Sequence, residues 1–255
     1  MPPKIIEIIG PPGIGKTSIY QSLCDIWEPG CNWIFPEALL EPEQPSISDF
    51  NEYLLHYGRK LFRRKAGRSI PTDYGLRFVA NHPELADFFW NLLSDNRVYN
   101  YHDIDKRFRA AYLLFRDFCR YQAVLESNCP KPCLINEGLL QKSFFIHDDE
   151  EYVSKLVSTY LALLPLPHAI LFIDTENRNT IFSRLKSRKK VIASHLGKDD
   201  GEILVDIGRW QNLLQILVEQ AQNYNVFVAR IDGEKPIKEN IFYINSLLNS
   251  LRPAP

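Results

Sequence analysis

This sequence predicts an α/β fold, a five-stranded parallel sheet held between two layers of helices. Three observations lead there. Five short apolar runs have the length and content of strands buried on both faces. Segments of helical periodicity separate them. The first run leads directly into a glycine-rich turn and a helix. Strands that alternate with helices need crossovers, and such crossovers lay helices on both faces of a parallel sheet.

The five runs are "KIIEIIG" (4–10), "NWIFPE" (32–37), "KPCLINEG" (131–138), "AILFIDTE" (169–176) and "NVFVARID" (225–232). Thr17 to Ile26 reads as the helix after the first. Ser46 to Arg64 carries Phe50, Tyr53, Leu54, Tyr57 and Leu61 on one face, with Asp49 three residues after Ser46 as a capping box. Residues 103–127 place Ile104, Phe108, Ala111, Tyr112, Phe115 and Cys119 at helical spacing. After Asp206, Trp210, Leu213, Leu214, Leu217, Val218 and Ala221 form another stripe. The gap between the second and third strands, about 38–130, exceeds one crossover. It reads as a helical insertion within a single domain spanning 1–255, punctuated by Pro42, Pro45, Pro71 and Pro83 and by Gly58, Gly67 and Gly75.

A chain of 255 residues with 45% apolar and 24% charged residues supports a full-sized core. The formal net charge of −1 supplies no global basic field for nucleic acid. No run has the length of a membrane span and no signal-peptide pattern opens the chain, so a cytoplasmic location is expected. Cys24, Cys31, Cys119, Cys129 and Cys133 are an odd, scattered set that suits reduced thiols. Cys129 and Cys133 have no second ligand pair to make a zinc site.

Gly10, Gly15, Lys16 and Thr17 match GxxxxGK(S/T), the Walker A pattern, with Gly13 inside it. Glycines let the backbone turn tightly with its N–H groups inward, a nest for phosphate oxygens. The following helix aims its positive end at the same place. The nucleotide-binding set is therefore Gly10, Pro11, Gly13, Ile14, Gly15, Lys16, Thr17 and Ser18. Lys16 should reach the β- and γ-phosphates of ATP, and the Thr17 hydroxyl should ligate Mg²⁺. The guanine-reading NKxD signature is missing, which favours adenine held nonspecifically.

With these motifs in place, the chain resembles the P-loop small-molecule kinases, in particular the deoxynucleoside kinase and thymidylate kinase group. Beyond the loop, three features carry the resemblance. "FPEA" (35–38) ends the second strand, and the resemblance implies that Glu37 is the general base on an acceptor hydroxyl. Here Glu37 follows Pro36, whereas the family's glutamate precedes a proline. "LINEG" (134–138) ends the third strand and implies that Glu137 helps hold Mg²⁺. Gly138 stands where the family has an arginine. "IDTENRNTIFSRLKSRKK" (173–190) implies a lid helix whose Arg184 and Arg188 lie over the triphosphate, with Lys189 and Lys190 adjacent. The loop at Asp232 and Gly233 is implied to lie by the adenine.

These features imply an ATP- and Mg²⁺-dependent kinase with a small-molecule acceptor and neither nucleic-acid nor membrane partners; a homodimer is left open. The missing arginine points to a hydroxyl acceptor (nucleoside, sugar or similar) over a nucleoside monophosphate, unless the insertion supplies an arginine. A regulatory P-loop ATPase acting through a protein partner is a second alternative, and a 5′-end nucleic-acid kinase is disfavoured by the balanced charge. In the insertion, Arg59, Arg63, Arg64, Lys65 and Arg68, and then Lys106, Arg109, Arg116 and Arg120, are candidate anion-binding clusters or solvated faces. Most of Trp33, Tyr53, Tyr57, Tyr74, Phe78, Phe88, Phe89 and Trp90 are expected in the core, and His56, His82 and His102 have no assigned role.

Overall fold

The computed structural model describes residues 5–40, 70–95, 104–146, 150–188, 195 and 197–250. The 46–64 helix, the Arg59–Arg68 cluster, Tyr53, Tyr57, His56, His102, Lys189 and Lys190 lie outside them.

The sheet has four parallel strands: β1 (Ile5–Ile9), β2 (Cys133–Asn136), β3 (Ala169–Asp174) and β4 (Phe227–Asp232), in the order β2-β1-β3-β4. The expected strand at 32–37 is not formed. Ile34 makes a single parallel bridge to Cys133. Pro36 has no N–H to give a ladder and instead opens a short helix, α2 (Pro36–Leu39), with Pro at its first turn. Glu37 therefore sits on a helix.

Side chains alternate across each strand and feed two apolar layers. Ile6 and Ile8 face one layer with Leu134, Leu171 and Ile173, covered by α1 (Lys16–Asp25), α7 (Arg178–Lys186) and α9 (Ile237–Ser250). Ile5 and Ile9 face the other with Ile135, Ile170 and Phe172. That layer is covered by α3 (Thr72–Asn81), α4 (Pro83–Ser94), α5 (Ile104–Leu125), α6 (Glu150–Leu163) and α8 (Asp200–Gln222). Phe78, Phe89 and Phe118 from the insertion thus share a core with the sheet. By the same alternation Glu7 points into this second layer, and it is fully buried.

Several helices differ from expectation in detail. Helix α8 begins well before Asp206, because Asp199 and Glu202 form a reciprocal capping box. In α5 the expected stripe is buried only toward the C-terminus. Ile104, Phe108 and Tyr112 are exposed, while Leu114, Phe118, Tyr121 and Val124 pack inward. Trp33, Phe78 and Phe89 are core, whereas Trp90 is 65% exposed. A 3₁₀ segment, Leu140–Phe145, follows β2 and was not expected. No helix among the described residues is long and apolar enough to cross a membrane.

Candidate functional site

All four strands end at one edge, where the turn after β1 and the turn after β2 lie side by side. The first turn is the glycine-rich loop. Gly13 and Gly15 hold positive φ angles of 94° and 109°, which a side chain would resist. Gly15 caps α1 with no side-chain hydrogen bond, and no acid stands in the first turn. The helix's first N–H groups therefore have no side-chain cap and no acid in the first turn to offset the positive end of the helix. Pro11 and Ile14 are buried beneath the loop, while Thr17 and Ser18 are exposed at its rim.

Lys16 is buried, 4% exposed. Its Nζ donates to the carbonyls of Gly10 (2.8 Å) and Pro11 (3.1 Å) and pairs with Glu137 Oε1 at 3.3 Å. Burial pushes the ammonium pKa down, and Glu137 opposes that shift. The structure thus brings Lys16 and Glu137 together, although 121 positions separate them in sequence. Glu137 holds a left-handed backbone, φ 53°, rare and costly for a residue with a side chain. Its N–H donates to Ile8 O (3.3 Å), and its carbonyl accepts from Arg120 Nη2 (3.0 Å). Arg120 and Lys142 both bind Asp117, at 2.9 and 2.7 Å.

A cavity of about 430 Å³ opens here. Gly15, Lys16, Thr17, Glu137, Gln141 and Arg188 line it, with Phe144 and Phe145 as an apolar wall. Helix α7 stops at Lys186, so Arg188 lies past its end and not on one face with Arg184. Arg184 turns elsewhere. Its Nη1 donates to the carbonyls of Ile14 (2.9 Å) and Gly233 (2.8 Å), tying the glycine-rich loop to the loop after β4. Gly233 in turn donates to Asp174 O, and Asp232 O accepts from Asn240. Glu37 is exposed and does not line the cavity. Its Oε2 accepts from the Tyr20 hydroxyl at 2.9 Å, one helical turn beyond Lys16. Burial, reinforced by Glu37, raises the Tyr20 pKa, so Tyr20 keeps its proton and donates.

Two residues that bear on the site escaped the sequence reading. Gln141 accepts from Gly10 N–H (3.0 Å) and donates to Gly10 O (3.1 Å). Glu7 accepts from the N–H groups of Leu140 (3.2 Å) and Gln141 (3.0 Å). Glu7 also explains the glycine at 138. A Cβ there would stand 2.7 Å from the Glu7 carboxyl, so any side chain at 138 must displace it. Only the acid inside the apolar run at 4–10 hinted at this.

Burial raises the Glu7 carboxyl from 4.5 to about 7, against the two N–H groups, Arg120 and Lys142, which favour the charged form. The folded chain binds this proton more tightly than the unfolded one. Its contribution to stability is therefore fully present below about pH 4.5 and is lost as pH rises through about 7. We expect the stability difference between the parent and Glu7→Gln to fall across that window, by up to about 3 kcal/mol. Urea unfolding of both proteins at several pH values checks this; a difference flat from pH 4.5 to 7 would refute it.

The donor set fits a hard, oxygen-seeking cation. Thr17 offers a hydroxyl and Glu137 a carboxylate, both reaching solvent at the cavity. Mg²⁺ characteristically takes one or two protein oxygens and completes its shell with phosphate and water. Among the described residues no group of three or more His, Cys, Asp or Glu could hold a metal alone.

Fold and loop together define an α/β protein whose glycine-rich turn and candidate site lie at the carboxyl edge of a parallel sheet. No protein-family model matches this chain, and no curated protein matches it in sequence. Among solved structures it is similar to deoxyadenosine kinase from M. mycoides with the products dCMP and a flexible dCDP bound. That match is 16% identical at a TM-score of 0.46 and covers 96% of this chain and 99% of that one. The same enzyme with bound dATP is 15% identical at a TM-score of 0.43, covering 96% and 100%.

Proposed function

We propose that this protein is an ATP- and Mg²⁺-dependent phosphotransferase that moves the γ-phosphoryl group of ATP to a hydroxyl acceptor such as a nucleoside or sugar. The observation that carries the reading is the meeting of Lys16 and Glu137 at 3.3 Å beside an uncapped helix N-terminus. A cation for phosphate oxygens and an acid for a metal line one cavity with the glycine-rich loop.

In this reading Gly10 to Ser18 cradle the triphosphate. Thr17 and Glu137 would hold Mg²⁺, which neutralises phosphate charge when bound. Arg188 faces the transferred group, and Arg184 keeps the loop in shape through its two carbonyl bonds. Glu37, oriented by Tyr20, accepts the acceptor's hydroxyl proton. Arg120 and Lys142 both pair with Asp117, so these two cations are engaged within the protein, which favours an uncharged alcohol over a phosphate-bearing acceptor.

A second reading, a nucleoside monophosphate kinase, is favoured by one observation. Arg120 Nε is buried without a hydrogen-bond partner among the described residues, so the insertion does bring an arginine near β2. ADP release from Mg·ATP, measured with separate pools of nucleosides, sugars and nucleoside monophosphates, decides. Stimulation by an alcohol pool supports the first reading and stimulation by monophosphates alone the second. Hydrolysis indifferent to every pool would defeat both.

A further inference from the structure

We propose that Glu7 and Gln141 form a clamp that sets where Glu137 stands relative to the phosphate loop, making both positioning residues for the metal-assisted site. The inference rests on the proposed reading of Glu137 and adds two residues to it.

The clamp closes a ring of hydrogen bonds. At its base, the two Glu7 oxygens each take one backbone N–H, from Leu140 and from Gln141. From there the Gln141 side chain reaches across to the end of β1. Strand β2 stops at Asn136, so its ladder offers Gly10 nothing. The Gln141 amide takes that place, pairing with both the N–H and the carbonyl of Gly10 as a neighbouring strand would. The Gly10 carbonyl also accepts from Lys16, and Lys16 pairs with Glu137, which returns the ring to the turn it began on.

Every link is short-tethered on that turn. Glu137 lies four residues before Gln141, and Gly138 between them packs its bare Cα against the Glu7 carboxyl. Tyr160 donates its hydroxyl to the Leu139 carbonyl, and Arg120 holds the Glu137 carbonyl. A left-handed glutamate persists only where its surroundings over-determine it. Here the bonds at 137, 139, 140 and 141 do so, and those at 140 and 141 end on Glu7. Loosening the clamp should let Glu137 relax from its position beside Lys16. The loop's own N–H cradle, built locally by Gly13 and Gly15, would be left in place.

The test separates these two effects. Binding of a fluorescent ATP analogue is titrated in EDTA and again with Mg²⁺, for the parent, Gln141→Leu, Glu7→Gln and Gly138→Ala, each checked for a cooperative thermal transition. Gly138→Ala pushes on Glu7 from the opposite side and keeps the experiment decisive if a variant at Glu7 does not fold. The expected result is affinity in EDTA within about threefold of the parent for Glu7→Gln and Gly138→Ala, with the Mg²⁺-dependent tightening reduced about tenfold in all three variants; Gln141→Leu, which also releases Gly10, should weaken binding in EDTA as well. Folded variants that keep the parent's full Mg²⁺ effect would overturn the clamp alone. A parent that bound the analogue no better with Mg²⁺ than with EDTA would overturn the reading of Glu137 and the clamp with it. Loss of thermal stability with both affinities unchanged would assign Glu7 and Gln141 to folding only, against the proposal.

Discussion

Lys16→Ala should lower Mg·ATP turnover by about 10²–10³-fold while the chain remains folded. The magnitude follows from removing one preorganised cation aimed at developing phosphoryl charge in a partly desolvated site. The preserved fold follows from what Lys16 holds. Its ammonium serves the Gly10 and Pro11 carbonyls and Glu137. Gly10 keeps its bond from Gln141, and Glu137 is 46% exposed, so neither is stranded without a partner or water. The cost to stability should stay near about 1 kcal/mol, the net worth of a hydrogen bond. Steady-state ADP release beside a thermal melt followed by circular dichroism checks both halves. Turnover within threefold of the parent would remove Lys16 from the centre. Lys16→Met, which restores the bulk without the charge, should be no more active than alanine.

The second large effect is expected at Glu37. Glu37→Gln should slow acceptor-dependent transfer by roughly 10²–10⁴-fold, the range for a lost general base. Nucleotide affinity should hardly change, because Glu37 does not line the cavity beside the phosphate loop. Glutamine still offers an oxygen to the Tyr20 hydroxyl, so the side chain keeps its orientation and loses only its basicity. Tyr20→Phe makes the complementary case: the base remains and its orienting bond goes, so a smaller loss is expected. Single-turnover transfer with saturating Mg·ATP and the acceptor found in the pool experiment reads both variants. A Glu37→Gln protein as fast as the parent would take Glu37 out of the mechanism.

The parts of the site that sequence made legible are those within a few residues of each other. The spacing of Gly10, Gly13, Gly15, Lys16 and Thr17 announces the cradle, since its geometry comes from local backbone freedom and the helix that follows. Glu137 was legible as an acid ending an apolar strand. Its left-handed backbone and its pairing with Lys16 were not, because partners on other elements enforce both. Spacing of four put Arg184 and Arg188 on one helical face. The helix ended between them, and one arginine braces carbonyls while the other lines the cavity. The strand expected at 32–37 is reduced to a single bridge at Ile34, because Pro36 converts its end to a helix. Arg120 read as one charge among several, in a cluster that was either anion-binding or a solvated face; in the folded chain it donates to the Glu137 carbonyl just past β2.

By itself the sequence determined the order of the strands that form, the parallel sheet they build and the glycine-rich turn that follows the first of them, since periodicity and close-spaced motifs are properties of neighbouring residues. Tertiary structure alone decided the company the loop keeps. Glu7 and Gln141 lie more than a hundred residues apart, and neither has any local feature that names its partner. Buried carboxylates and amides take partners wherever chain packing leaves a backbone group in need, and only the folded molecule fixes where that is.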